Sequence, residues 1–328
     1  METNRQFTNP IFLSKLIHSE GNDKSITIGI KKDEKELCSI TGSTSFTIET
    51  LSEDSILENG LLASGFAFLF FNYTESENPT AKMRSFTMDA DLGKSFQDIL
   101  GKSLLVPDTN VILDRIFSNL DYLTGSKLTK SLKMKIPRLA VLELEKFPQS
   151  KKENGKDLAR RKSWLGYGEL LYLQQSGATP MRELNTETLL GFSNIKGTEN
   201  VDSWIRREIN EAKNIAKDPN VFLAGLLGSQ GLKEKFENYV FVTSDLTNAL
   251  SSVSENIDTI HISRITDWKK KLREGNLKQV ARLIITLSVL YENILVEINS
   301  KKFKFEGMWD GKTISHYAAE EAYFTSLR

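Results

Sequence analysis

One cysteine in 328 residues, Cys38, has no partner for an intrachain disulfide, so a cross-linked framework of the secreted kind is excluded. Cys38 lies in a strand-like run and reads as an inert core thiol, which suits a reducing cytosol. Histidine is also scarce. His18, His261 and His316 are scattered singly, each reads as structural or exposed, and no His/Cys set with zinc spacing exists. Charge of one sign is missing as an excess: 43 Lys plus Arg balance 43 Asp plus Glu. There is no global basic field to advertise nucleic-acid binding, so any basic footprint must be local. Long apolar runs are absent as well. Leu61 to Phe71 is the most apolar stretch, too short and too glycine-punctuated to span a bilayer. Met1 to Pro10 is polar, unlike a secretory signal. The expectation is a cytoplasmic protein with no membrane partner.

What remains is an ordinary globular composition, 39% hydrophobic and 26% charged, with length enough for two or three domains. Residues 1–98 read as a small β-rich or α+β accessory domain of unknown role. Ile11 to Ile17 is a short helix, Ser25 to Ile30 alternates like a strand, and Cys38 to Thr50 reads as one or two strands turning at Thr41-Gly42-Ser43. Leu61 to Asn72 and Met83 to Ala90 are further strand candidates. Residues 99–265 change character: continuous apolar strands alternate with helices, the grammar of a parallel sheet covered on both faces. Residues 266–328 read as an α-rich C-terminal appendage. In it Val280 to Ile298 is a long helix, Lys301 to Trp309 a strand and Ser315 to Tyr323 helical.

The central stretch is Leu104-Leu105-Val106-Pro107-Asp108-Thr109-Asn110-Val111. An apolar run ends in an acid beside two small polar side chains. Tyr239 to Asp245 repeats that grammar. Glu143 is expected in the first turn of the helix after a third strand, and Asp218 or Asn220 opens the helix before the Asp245 strand. In an open α/β sheet such positions converge outside the carboxyl ends of the strands. Carboxylates gathered there raise one another's pKa unless a cation neutralises them, and all-oxygen donors favour Mg²⁺ or Mn²⁺. Blander readings exist for several of these residues. Asp218 reads equally well as an N-cap, and Asp114 and Glu145 read as solvated helix residues. Lys151 to Lys162, with six basic residues against two acidic, is either a solvated face or an electrostatic contact.

The set Val106-Pro107-Asp108-Thr109-Asn110-Val111, Leu142-Glu143-Leu144 and Val242-Thr243-Ser244-Asp245 resembles the PIN-domain family of metal-dependent ribonucleases, over roughly residues 102 to 263. The resemblance implies a Rossmann-like parallel sheet with an acidic Mg²⁺ or Mn²⁺ site that cleaves single-stranded or structured RNA. By the match Asp108 and Asp245 are ligands, Glu143 is a ligand or orients water, and Asn110 or Thr243 supports the site by hydrogen bonding. The family places a further aspartate before the last catalytic strand. Asp218 ranks first for that place and Asp202 second, with Asn220 in the cleanest alignment. Lys151, Lys152, Arg160, Arg161 and Arg206 are the expected contacts to the RNA backbone. The leading function is therefore a metal-dependent endoribonuclease. The alternative is a catalytically degenerate PIN-like scaffold that binds RNA or a protein, and a DNA-directed nuclease or a phosphatase using the same acids is a third. The N-terminal domain leaves room for a protein partner, and the C-terminal appendage for a homo-oligomer.

Overall fold

A computed structural model describes residues 5–21, 25–77, 84–87, 103–124, 128–149, 157–181, 201–217, 238–264, 272–307 and 321–327. In chain order the strands begin with β1 (Gln6–Thr8), β2 (Ile26–Lys32), β3 (Lys35–Gly42) and β4 (Phe46–Thr50). The middle strands are β5 (Leu69–Thr74), β6 (Arg84–Thr87), β7 (Ser103–Pro107), β8 (Lys133–Ile136), β9 (Thr179–Pro180), β10 (Asn238–Thr243) and β11 (Asp258–Arg264). The last are β12 (Asn293–Ile298), β13 (Lys301–Gly307) and β14 (Ala322–Leu327). The helices are α1 (Pro10–Gly21), α2 (Ser55–Ala63), α3 (Thr109–Leu113), α4 (Ile116–Thr124), α5 (Leu128–Ser131), α6 (Arg138–Gln149), α7 (Asp157–Gln175), α8 (Val201–Lys217), α9 (Leu246–Ser254) and α10 (Leu277–Leu290).

The described strands form two sheets, in a mixed α/β architecture. One runs β6-β5-β11-β10-β7-β8-β9. From β11 to β9 all neighbours are parallel, while β5 and β6 add antiparallel pairings at the β11 edge. The chain leaves β7 toward β8 and β9, then returns on the other side as β10 and β11. Winding therefore reverses between β7 and β10, and in open α/β sheets a ligand crevice lies outside the carboxyl ends at such a point. Leu104, Leu105 and Val106 are all buried, as a central strand covered on both faces requires.

The second sheet is antiparallel, β1-β14-β13-β12-β2-β3-β4. It joins strands from the two ends of the chain. Ile28 and Ile30 of β2 face Ile298 and Val296 of β12, and these period-two apolar faces bury completely. The α10 helix covers them. Every residue from Gln279 to Leu290 is buried, the pattern of a helix enclosed on all sides. A capping box opens it: Asn276 accepts from the Gln279 amide and Gln279 reaches back to the Asn276 amide.

Several expectations change here. Leu61 to Asn72 is not one strand. Asp54 caps α2 by accepting from the Ile56 amide at 2.8 Å, Leu57, Leu61 and Leu62 bury at helical spacing, and β5 starts only at Leu69. The helix expected over Val280 to Ile298 stops at Leu290, where Glu292 takes φ +69°. Ile294, Val296 and Ile298 then alternate as β12. Among its described residues the C-terminal region is accordingly not α-rich: α10 is followed by β12, β13 and β14. Breaks at 98 and 265 do not coincide with sheet boundaries, since β5 and β6 belong to the mixed sheet and β2 pairs with β12. Glu143 sits in the second turn of α6, not the first. Of the helix expected at Ser315 to Tyr323, residues 315–320 lie outside the described residues, and Ala322 and Tyr323 are strand.

Gly307 marks the tightest join between β13 and α10. A Cβ there would lie 2.5 Å from Val289 Cα and 2.7 Å from the Ser288 carbonyl oxygen, both backbone atoms that no rotamer change can move. Gly307→Ala is expected to destabilise the chain by about 1–3 kcal/mol through overpacking, read as a lower urea midpoint at constant slope. An unchanged midpoint would show that the join is loose.

Candidate active site

Asp108 follows β7 directly and is fully buried. Its amide donates to the Val242 carbonyl at 2.8 Å, which ties the end of β7 to β10. It stands where an N-cap would precede α3, yet its side chain makes no cap hydrogen bond. Oδ2 accepts from the Thr243 hydroxyl at 2.8 Å. Oδ1 is buried and makes no hydrogen bond among the described residues. A buried carboxylate oxygen with no donor is costly. Burial above all, then the charges of Asp202 and Glu143, push the Asp108 pKa up to about 7, against the Thr243 hydroxyl and the nearby Thr109 amide.

The neighbouring side chains are held by a short relay. Thr243, also fully buried, donates to Asp108 and accepts from the Asp245 amide at 3.1 Å. Asp245 caps α9 properly, accepting from the Asn248 amide at 3.0 Å. Thr109 donates to Glu143 Oε2 at 2.7 Å, which fixes the α6 acid against the start of α3. Asp202 lies in the first turn of α8 and is half-buried. Burial and the charge of Asp245 raise its pKa, and Arg206 opposes them. Asp108 is therefore within electrostatic reach of Asp202 and Glu143, and Asp202 of Asp245, around the β7/β10 crevice. Among the described residues, no three acids, histidines or cysteines close on one point at ligating distance.

The sequence candidates divide sharply. Asp108, Glu143, Asp245 and Thr243 come together, and so does Asp202. Asp218 and Asn220 lie outside the described residues, as do Lys151 and Lys152 and the side chain of Arg160. Asn110 is exposed on α3. Two expected phosphate contacts are committed to the interior instead. Arg161 is buried, donates to the Val289 carbonyl at 2.8 Å and pairs with Glu292. Arg206 is buried too, donating to Glu255 at 2.9 Å and to Asn248. Its work is to pin α8 on α9, which brings Asp202 to the site. Asp114, expected to be solvated, is buried and pairs with Lys162 at 3.4 Å.

Two residues at the site were not among the site candidates of the sequence. Thr109 holds Glu143, and its place beside Asp108 in the strand-end motif was the available signal. His261 pairs in register with Thr243 across β10 and β11. Burial lowers its pKa, while Asp245 and a hydrogen bond to the Ser244 backbone oppose that. No local pattern marks His261; only the strand pairing does.

No protein-family profile, curated protein or solved structure matches the chain.

Proposed function

We propose that the chain is a metal-dependent endoribonuclease and that the β7/β10 crevice is its active site. One observation carries the reading: a fully buried carboxylate, Asp108, keeps an oxygen without a donor among the described residues, and burial with the charges of Asp202 and Glu143 pushes its pKa up to about 7. Such a group is unfavourable in an apoprotein and is relieved by a cation. The parallel strands, numbered along the chain, follow the order 3-2-1-4-5, which supports a Rossmann-like, PIN-like core with its crevice at this point.

The donor set fits a hard cation. All donors are oxygens, and Mg²⁺ ordinarily takes one or two protein carboxylates and keeps several waters. Asp108 would hold the ion directly, with Asp202, Asp245 and Glu143 reaching it directly or through water. A bound Mg²⁺ or Mn²⁺ would supply a water of lowered pKa and would screen the charge of a phosphodiester. The chain's own residues do the positioning. Thr243 fixes Oδ2 of Asp108 and leaves Oδ1 for the ion. Thr109 holds Glu143 in place by donating to its carboxylate, and that carboxylate would serve as the acceptor for a proton of such a water.

A second reading has its own support. Arg206 lies close enough to Asp202 to oppose its raised pKa, so an internal cation partly compensates the acids, as a degenerate RNA- or protein-binding scaffold would need. Calorimetric titration with Mn²⁺ separates the two. The enzyme reading expects a saturable site that is lost in Asp108→Asn, and a trace with no saturable event would establish the scaffold. Thr243→Val keeps the side-chain shape but removes the hydroxyl. It is expected to weaken Mn²⁺ binding about 10- to 100-fold in the same titration, and undiminished affinity would show that Thr243 does not orient Asp108.

A further inference from the structure

The basic residues that were expected to meet RNA are buried or lie outside the described residues, but others stand on the same edge as the acids. Arg138 opens α6 just past the carboxyl end of β8 and its side chain is exposed. Arg264 ends β11 and is exposed as well. Arg264 pairs in register with Leu69, which places Phe68 beside it. Phe68 is 36% exposed and carries the Arg273 guanidinium 5.6 Å over its ring. The neighbouring Glu274 is turned away to the Ser45 hydroxyl at 2.7 Å. Lys162 and Arg264 both act on the buried carboxylate of Asp114.

Strands lie about 4.8 Å apart in a sheet. The strand order β11-β10-β7-β8 therefore puts Arg264 and Arg138 on opposite sides of the Asp108–Asp245 pair, with roughly 15 Å between the outer strands. Acids in the middle and cations at both ends suit a polyanion whose central phosphate meets a metal-loaded site. An exposed ring under a guanidinium suits an unstacked base. A duplex keeps its bases paired and offers no such face, so a single strand fits best.

We infer that Arg138 and Arg264, with the Phe68–Arg273 pair beyond them, form a track that seats a single strand of nucleic acid along the carboxyl edge of the mixed sheet. The placement of its phosphates over the acids rests on the phosphodiesterase reading above; the track itself does not.

The test is fluorescence anisotropy of the full chain with a labelled oligouridylate, and in parallel the matching oligothymidylate, in EDTA over a salt series. Arg138→Ala and Arg264→Ala are each expected to weaken binding and to make the slope of log K against log salt shallower by about 0.7, the value for one phosphate contact on a single strand. Phe68→Ala is expected to weaken binding about tenfold with the slope unchanged, because stacking releases no counterions. Lys35→Ala, which removes an exposed charge at the start of β3, serves as the control and should do neither. Melting curves verify that each variant is folded. Parent-like affinity and slope in Arg138→Ala, Arg264→Ala and Phe68→Ala overturn the track, and so does an equal loss in Lys35→Ala. Hydrolysis of bis(p-nitrophenyl) phosphate by the parent chain with Mn²⁺ reports separately on the phosphodiesterase reading. If the parent fails to cleave while the binding pattern holds, that reading fails and the track stands. Cleavage without the binding pattern has the opposite meaning.

Discussion

Asp108→Asn is expected to be more stable than the parent chain in EDTA above pH 7, with a gap that closes as the pH falls. The cause is the folded-state pKa, pushed from 3.8 up to about 7 by burial and by Asp202 and Glu143. A group whose folded pKa lies above its unfolded value favours the native state below the unfolded pKa, and that contribution is lost as pH rises through the folded one. The parent therefore loses stability between about pH 4 and pH 7, and the variant, with nothing to ionise, does not. At 1.36 kcal/mol per unit the full difference is on the order of 4 kcal/mol, reduced by whatever cations compensate in part. Urea unfolding at about pH 4.5 and about pH 8 reads the difference. Mg²⁺ should stabilise the parent and not the variant, narrowing the gap at high pH. Equal stability of the two chains at both pH values would show that the buried carboxylate is not under electrostatic load.

The second large effect lies far from that crevice. Arg282, on α10, is fully buried and donates to Asn119 Oδ1 at 2.5 Å and to Ser118 Oγ at 2.6 Å. Glu169 on α7 is equally buried and accepts from the Ser118 amide at 2.9 Å and from its hydroxyl. Asn119 in turn donates to the Leu62 carbonyl at 3.2 Å. One network thus joins α10 to α4, α7 and the end of α2, and with it the terminal sheet to the mixed one. Removing one member of a buried charged network leaves the other charge uncompensated. Arg282→Met is expected to cost about 3–5 kcal/mol in denaturant unfolding. Adding Glu169→Gln should recover part of that, since the stranded carboxylate is gone, with a coupling of about 0.5–3 kcal/mol. Strict additivity of the two changes would mean that Ser118 does not link them. Arg282→Met lowering stability with no broadening of the transition would mark the terminal sheet as part of one cooperative unit.

The strand-end acids were legible because their signal is local. A continuous apolar run, then an acid and small polar residues, predicts both the strand and the side that its end faces, and Asp108 and Asp245 followed from that. Glu143 was legible as an acid following a strand, though not its turn of the helix. The further acid was legible only as a ranking, Asp218 before Asp202, and Asp218 lies outside the described residues. Asp202 reaches the site because Arg206 clamps α8 onto α9 through Asn248 and Glu255, a tertiary contact that the local sequence around Asp202 does not show. The same burial explains the misreading of Arg161 and Arg206 as surface cations: each guanidinium finds fixed acceptors inside, which its planar fork allows. The flanks failed for a different reason. Pairing β2 with β12 depends on a register across most of the chain, and period-two patterns identify strands but not their partners. His261 belongs to the same class, since only its position opposite Thr243 brings it to Asp245.

The most direct test is hydrolysis itself. Labelled single-stranded RNA, DNA of the same sequence and a phosphomonoester are offered side by side to the parent chain with Mn²⁺, to the parent in EDTA and to Asp108→Asn with Mn²⁺. Internal cleavage of RNA by the parent with Mn²⁺, and by neither of the others, is the predicted result. Full cleavage in EDTA or by Asp108→Asn, or turnover of the phosphomonoester alone, would contradict it.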